Sequence, residues 1–166
     1  ESIVIDGFLV DVSQSWNGSS HWTSQLTDET SVTFPATADS CMAIGAYVVN
    51  FGWFDKIGDL ASYSGRGYNI SGKLGVDITA PGHTTFTTEK NYGWMTFSGT
   101  SSAAPHVAGT AALMLQYNPN LTHAQIREII LKTALSDNFT GTVPNSEWGY
   151  GKLNIEAAIK YLSNNF

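Results

Sequence analysis

The chain has 166 residues, 42% of them hydrophobic and 13% charged, with a formal net charge of −6 and one cysteine, Cys41. That length suits one domain with a sizeable core, and the balance of apolar to charged residues argues against a disordered chain. The acidic balance without any Lys/Arg run argues against nucleic acid as a partner, one cysteine excludes an internal disulfide framework and a cysteine zinc site, and no apolar run reaches the roughly 18–20 residues of a membrane span.

The chain opens on Glu1-Ser2-Ile3-Val4-Ile5-Asp6, which reads like the middle of a strand and suggests a piece of something longer. No basic segment leads into an apolar one, as a secretory leader would require. Residues 2–12 are strand-like, and 13–30, rich in Ser, Asn, Gly and Thr and holding Trp16 and Trp22, read as turns and an irregular hairpin. Residues 31–50 form a second β region with its core at Met42 to Val49 and Pro35 upstream. Cys41 opens the apolar run to Ala46 and is expected as a small buried hydrophobe. Ser62 to Gly75 reads as loops, Val76 to Thr79 as a short strand stopped by Pro81-Gly82, and the alternating Thr84 to Thr88 as another strand.

After Gly99 the character changes. Ser101 to Tyr117 is Ala-rich, with Val107, Ala111, Met114 and Leu115 at helical spacing, and Asn118-Pro119 ends that helix. The next helix has a capping box from Thr122 and Gln125, a hydrophobic staple from Leu121 and Ile126, and an apolar face of Ile126, Ile129, Ile130 and Ala134. A third starts at Asn154 and runs through Ile155, Ala158, Ile159 and Leu162. Strands thus dominate the first 97 residues and helices the rest, a layout compatible with α/β packing.

One segment carries chemistry: Phe97-Ser98-Gly99-Thr100-Ser101-Ser102-Ala103-Ala104-Pro105-His106-Val107-Ala108-Gly109. A tight Gly/Thr turn delivers a serine to the first turn of a long helix. Pro105 is expected within that turn, where the missing N–H costs nothing. Free N–H groups and the helix dipole favour negative charge near Ser101, which the oxyanion of an acyl-transfer intermediate needs. A serine also needs a general base to become a good nucleophile. On these grounds alone, Ser101 is a plausible nucleophile only, since Ser/Thr clusters at helix starts are usually caps.

The segment resembles the serine motif of the subtilisin-like proteases, Gly-Thr-Ser-x-Ala-x-Pro-His-Val-Ala-Gly. Gly99, Thr100, Ser101, Ala103, Pro105, His106, Val107, Ala108 and Gly109 match it. Pro35-Ala36-Thr37-Ala38 with the strand Met42 to Ala46 resembles the family's Pro-Ala segment and following "V-I-A-V-G-A". Leu60 to Gly67 resembles "A-S-F-S-x-x-G", Asp77 to Gly82 resembles "D-V-x-A-P-G", and Trp148 to Asn154 resembles the closing "x-G-x-G-x-x-N". The similarity runs over about residues 31–162. It implies part of a three-layer α/β fold with a mostly parallel central sheet. It also implies a serine endopeptidase acting through an acyl-enzyme on protein or peptide substrates, with Ser101 as the nucleophile of an Asp–His–Ser triad and its N–H as one oxyanion donor. Ser102 stands where many members carry Met, and His106 is implied to pack within the nucleophile helix. Export of the protein is implied by the same resemblance.

The rest of the family's site is missing. Its triad runs Asp, His, Ser, in "D-[ST]-G" and "H-G-[ST]-H", and neither motif occurs here. Asp6-Gly7 lacks the Ser/Thr, and His21 lacks a flanking glycine and lies too close to Ser101 for the family's layout. The "A-G-N" segment with the oxyanion asparagine is absent too. An N-terminal segment of the same protease, on the same or a separate chain, is the implied partner, and its absence would leave a sheet edge and an apolar face uncovered. His83 reads as a loop residue and His123 as an exposed residue at a helix start. No cofactor is expected. Asp77 aligns near a weak cation site of some relatives, but one carboxylate is too little to claim calcium, and a structural calcium is left open only for the complete domain. Residues 1–30 suit the end of an inserted β segment, and residues 31–166 the C-terminal part of the catalytic domain. A protease-derived binding module without activity and an unrelated hydrolase with its triad inside this chain remain the competing readings, the latter disfavoured by the lack of a Gly-x-Ser-x-Gly elbow.

Overall fold

A computed structural model describes residues 30–32, 35–50, 55–69 and 71–165. The strand and hairpin expected for residues 2–29, with Asp6, Trp16, His21 and Trp22, lie outside the described residues. The rest is an α/β chain in which every described strand ends by Phe97 and every described helix starts after it.

Strands β1 (Ile44–Val48) and β2 (Ile78–His83) pair in parallel, from Ile44 opposite Ile78 to Val48 opposite His83, with an irregularity after Tyr47. A parallel pair needs a long crossover, and the chain between them returns past β1 through an antiparallel bridge from Leu60 to Tyr47. The outer edge of β2 meets the closing motif: Thr79 donates to Gly151 O (2.9 Å) and accepts from Leu153 N (2.8 Å).

The strand of the Asp77–Gly82 segment does not stop at Pro81-Gly82 as expected, because it runs on to His83. Successive residues of a strand address opposite edges, and Thr79 addresses the closing motif. Pro81 therefore points its missing N–H away from β1, and the β1–β2 ladder loses no donor. His83 is correspondingly the last residue of a strand rather than a loop residue. Cys41 is also corrected: it is exposed, because β1 starts only at Ile44 and Cys41 closes the preceding turn, its N–H donating to Ala38 O at 3.0 Å.

Strands β3 (Thr85–Glu89) and β4 (Gly93–Phe97) form an antiparallel hairpin whose loop places Asn91 and Tyr92 at positive φ. Helix α1 (Thr100–Tyr117) follows directly, then α2 (His123–Lys132) and α3 (Ile155–Asn165). The capping box of α2 forms as read: Thr122 N donates to Gln125 Oε1 (2.9 Å), and Gln125 N to Thr122 Oγ1 (3.3 Å). Ala134, expected on its apolar face, lies past its C-cap Thr133 yet still packs on the core. Asn154 of the closing motif caps α3, accepting from Ala157 N at 3.0 Å.

One core joins these elements. Ala46 and Val48 of β1, Ile78 and Ala80 of β2, Ala103, Val107 and Met114 of α1, Ile129 and Ile130 of α2, and Ala158 and Leu162 of α3 are buried together. Fully burying a Leu- or Met-sized side chain contributes roughly 1.5–3 kcal/mol, so α1 is fixed to the β1–β2 pair by its inner face. Its outer flank is different. Ala104, Pro105, Ala108, Ala112 and Leu113 are apolar and exposed, as is Leu115, which helical spacing had placed with the core. No helix among the described residues is long and apolar enough to cross a membrane.

Candidate active site

The structure places Ser101 as the second residue of α1, exposed, one residue beyond the turn at Gly99 and Thr100. Gly99 is the N-cap with φ 131°, a conformation side chains rarely adopt, so the turn requires glycine. Gly99 O accepts from both Ser102 N (2.9 Å) and Ala103 N (3.3 Å), which starts the helix. As a first-turn amide, Ser101 N–H has no acceptor within the helix and lies at the positive end of the helix dipole.

Pro105 is not in the first turn as expected. It is the sixth residue of α1, so the bond it cannot make is the one to the carbonyl of Ser101. The backbone oxygen of the candidate nucleophile is thereby freed of its usual helical donor. His106, implied to be a packing residue, is half-buried, and its Nδ1 stands 2.9 Å from Ser102 O one turn back. A carbonyl only accepts, so Nδ1 carries the proton there.

Three contacts seat the Ser101 turn on the strands. Gly99 N donates to Gly82 O at 2.8 Å. Thr84 N donates to Ser98 Oγ at 2.9 Å. Ser102, next to the nucleophile, is buried and hydrogen-bonded to Thr85 Oγ1, which itself donates to Phe97 O at 2.9 Å. Since the Thr85 proton is committed to that carbonyl, Ser102 is the donor. Gly82 allows the approach, because a Cβ there would lie 2.5 Å from Ala46 Cβ and 3.1 Å from Ala103 Cβ. Tyr63, from the Leu60–Gly67 segment, adds a fourth: Gly99 N also reaches its hydroxyl at 3.0 Å, and that hydroxyl donates to Gly82 O at 2.9 Å. Burial, aided by the charge of Asp55 and opposed by the Gly99 N–H, raises the Tyr63 phenol above its ordinary value. Sequence reasoning had passed over Tyr63, although its place in the "A-S-F-S" pattern, with a hydroxyl added, was visible.

The other candidates are elsewhere. Asp77 accepts from Ala43 N at 2.9 Å and pairs with Arg127, so its carboxylate is taken up by two donors. No cluster of three His, Cys, Asp or Glu that could hold a metal occurs among the described residues. His123 is the first residue of α2 and exposed, as read. His83 reaches the Ser101 turn only through Tyr63, its Nδ1 being 3.1 Å from the phenol oxygen.

Comparison with known proteins gives the family and the fold. Residues 14–151 match the Subtilase family; the match begins inside the stretch set apart as 1–30. The chain is 37% identical over 129 residues to alkaline elastase YaB of a Bacillus species, covering 78% of this chain and 29% of that protein. It is 36% identical over 130 residues to subtilisin Savinase of Lederbergia lenta, covering 78% of this chain and 42% of that one. Among solved structures it resembles the CspB protease of Clostridium perfringens (TM-score 0.68, 31% identity, 80% of this chain and 29% of that one). It also resembles fervidolysin of Fervidobacterium pennivorans, described as a keratinolytic enzyme related to subtilisin (TM-score 0.62, 28% identity, 76% and 20%). The chain spans less than half the length of each of these relatives. With its serine motif at the start of α1 and its parallel pair beneath, this chain belongs to the subtilase family.

Proposed function

We propose that this chain is the nucleophile-bearing part of a serine endopeptidase, with Ser101 as the catalytic serine. The observation that carries the proposal is the setting of Ser101: exposed at the N-terminus of α1, on a glycine turn hydrogen-bonded to β2, inside a motif matched at nine positions. Ser101 Oγ attacks the scissile carbonyl, a histidine takes its proton and passes it to the leaving amine, and an aspartate orients that histidine. The Ser101 N–H donates to the oxyanion, and water then releases the acyl group.

The histidine, the aspartate and the second oxyanion donor come from an N-terminal segment of the same protease, on the same polypeptide or as a separate chain. The exposed apolar flank of α1 supports this, since a surface of Ala104, Ala108, Ala112 and Leu113 suits burial against further polypeptide. Residues 31–166 belong to the catalytic domain on this reading, residues 1–30 close an inserted β segment, and the protein works outside the cell on protein or peptide substrates. The test is hydrolysis of a peptide substrate by the complete protease and by its Ser101→Ala form. Loss of turnover by roughly 10⁴-fold or more is expected for a triad serine. Turnover retained in Ser101→Ala would assign the chemistry elsewhere.

A further inference from the structure

We propose that the Tyr63 hydroxyl is a positioning group for the nucleophile: it holds the Gly99 N–H, and through that peptide it sets where Ser101 stands. The proposal rests on the reading of Ser101 as nucleophile.

Tyr63 lies 36 residues before Gly99 in the chain, in a segment that is neither strand nor helix. Its hydroxyl has one proton and two lone pairs. The proton goes to Gly82 O (2.9 Å), because that carbonyl can only accept. One lone pair takes the Gly99 N–H (3.0 Å). The remaining neighbour is His83 Nδ1 at 3.1 Å, which must then be the donor, so His83 carries its proton on Nδ1. The hydroxyl is thus saturated, with one bond given and two received. The Tyr63 ring stacks on the His83 ring, with centroids 5.6 Å apart and planes at 29°, which fixes the direction in which the hydroxyl points.

The Gly99 peptide is the sensitive place. Its N–H is shared between Gly82 O at 2.8 Å and the Tyr63 hydroxyl, while its carbonyl receives the amides of Ser102 and Ala103. Gly99 has no side chain to fix it, and its φ of 131° lies where glycine moves freely. A small rotation of this peptide tilts the start of α1, and both the Oγ and the N–H of Ser101 move with it. Ångström-scale misplacement of a reacting group is costly in rate even where the fold is intact. The family pattern "A-S-F-S" has phenylalanine here, so an aromatic ring is compatible with the fold, and the added hydroxyl ties the Gly99 turn to Gly82 and His83 of β2.

The test is Tyr63→Phe in the complete protease, which removes one oxygen. Turnover of a peptide substrate is expected to fall roughly three- to tenfold, the worth of one hydrogen bond, with KM unchanged and the melting temperature lowered by a few degrees at most. Hydrogen exchange of the Gly99 amide, measured on the same preparations, is expected to speed up. A larger truncation, Tyr63→Leu, should lower the melting temperature further, which separates the ring's role from the hydroxyl's. Unchanged turnover in Tyr63→Phe overturns the proposal, as does a fall in turnover with the exchange of the Gly99 amide unchanged. If the unsubstituted protease hydrolyses no peptide, the nucleophile reading has failed. Gly99 exchange then decides the anchoring alone: faster exchange in Tyr63→Phe supports it and unchanged exchange refutes it.

Discussion

Lys152 is a lysine in a place where lysines are rarely found. Its side chain is 6% exposed, and its Nζ donates to Gly58 O and to Asp137 Oδ2, both at 2.9 Å. The faces of Phe139 (4.5 Å), Tyr47 (4.9 Å) and Trp148 (5.0 Å) surround the ammonium. Replacement by methionine keeps most of the volume and removes the charge. Taking one partner from a buried ion pair costs about 3–5 kcal/mol. Here the Asp137 side chain remains 30% exposed, so water recovers part of its solvation, and we expect a loss of about 2–3 kcal/mol, again scaled from a buried pair. For a chain of this size that is about 5–10 °C in melting temperature, measurable by circular dichroism and tryptophan fluorescence at neutral pH. Lys152→Met combined with Asp137→Asn leaves no unpaired charge and should recover at least half of the loss. The pH dependence gives a second check. Burial pushes the Asp137 carboxyl up, but the hydrogen bond from Lys152, the N–H groups of Thr140 and Phe139 and the Lys152 charge outweigh it and hold the carboxyl below its ordinary value. A depressed folded value means that the stabilisation is present above the unfolded value, near 3.9, and is lost as pH falls through the folded one. The gap between the parent and Lys152→Met should therefore narrow below about pH 4. A Lys152→Met form as stable as the parent at neutral pH would refute the argument that this cation is held by its cage.

Two further outcomes follow from the packing around α1 and α2. Gly82→Ala drives a methyl to 2.5 Å from Ala46 Cβ, between two strands and the start of α1; a loss of about 1–3 kcal/mol is expected from overpacking, read as a lower urea midpoint. Thr122→Ala removes the hydroxyl that accepts from Gln125 N, and should cost about 1 kcal/mol, with faster amide exchange confined to the first turn of α2.

Local patterns in the sequence carried over best. The capping box at Thr122 and Gln125 involves residues three apart, so its geometry follows from the helix itself. The serine motif located Ser101, the turn before it and the helix after it. Strand β4 went unread because its Trp94, Met95 and Phe97 are exposed, so no alternation of buried and exposed residues marks it. The course of β2 through Pro81 depends on which edge faces β1, and that is set by a partner strand far away in the chain. Nothing in the sequence around Lys152 marks it as buried, and only the fold brings Tyr47, Phe139 and Trp148 around it. Likewise Tyr63 and Gly99 meet through β2, so the sequence showed a tyrosine in a loop but not what its hydroxyl touches.

The central claim is that Ser101 is a catalytic serine whose base lies outside these 166 residues, and a fluorophosphonate probe tests it most directly. The account predicts that the isolated chain stays unlabelled, and that adding the N-terminal segment of the protease yields one adduct, located on Ser101 by peptide mass analysis and absent from Ser101→Ala. Rapid labelling of Ser101 in the isolated chain, or no labelling of Ser101 in the complete protease, would contradict it.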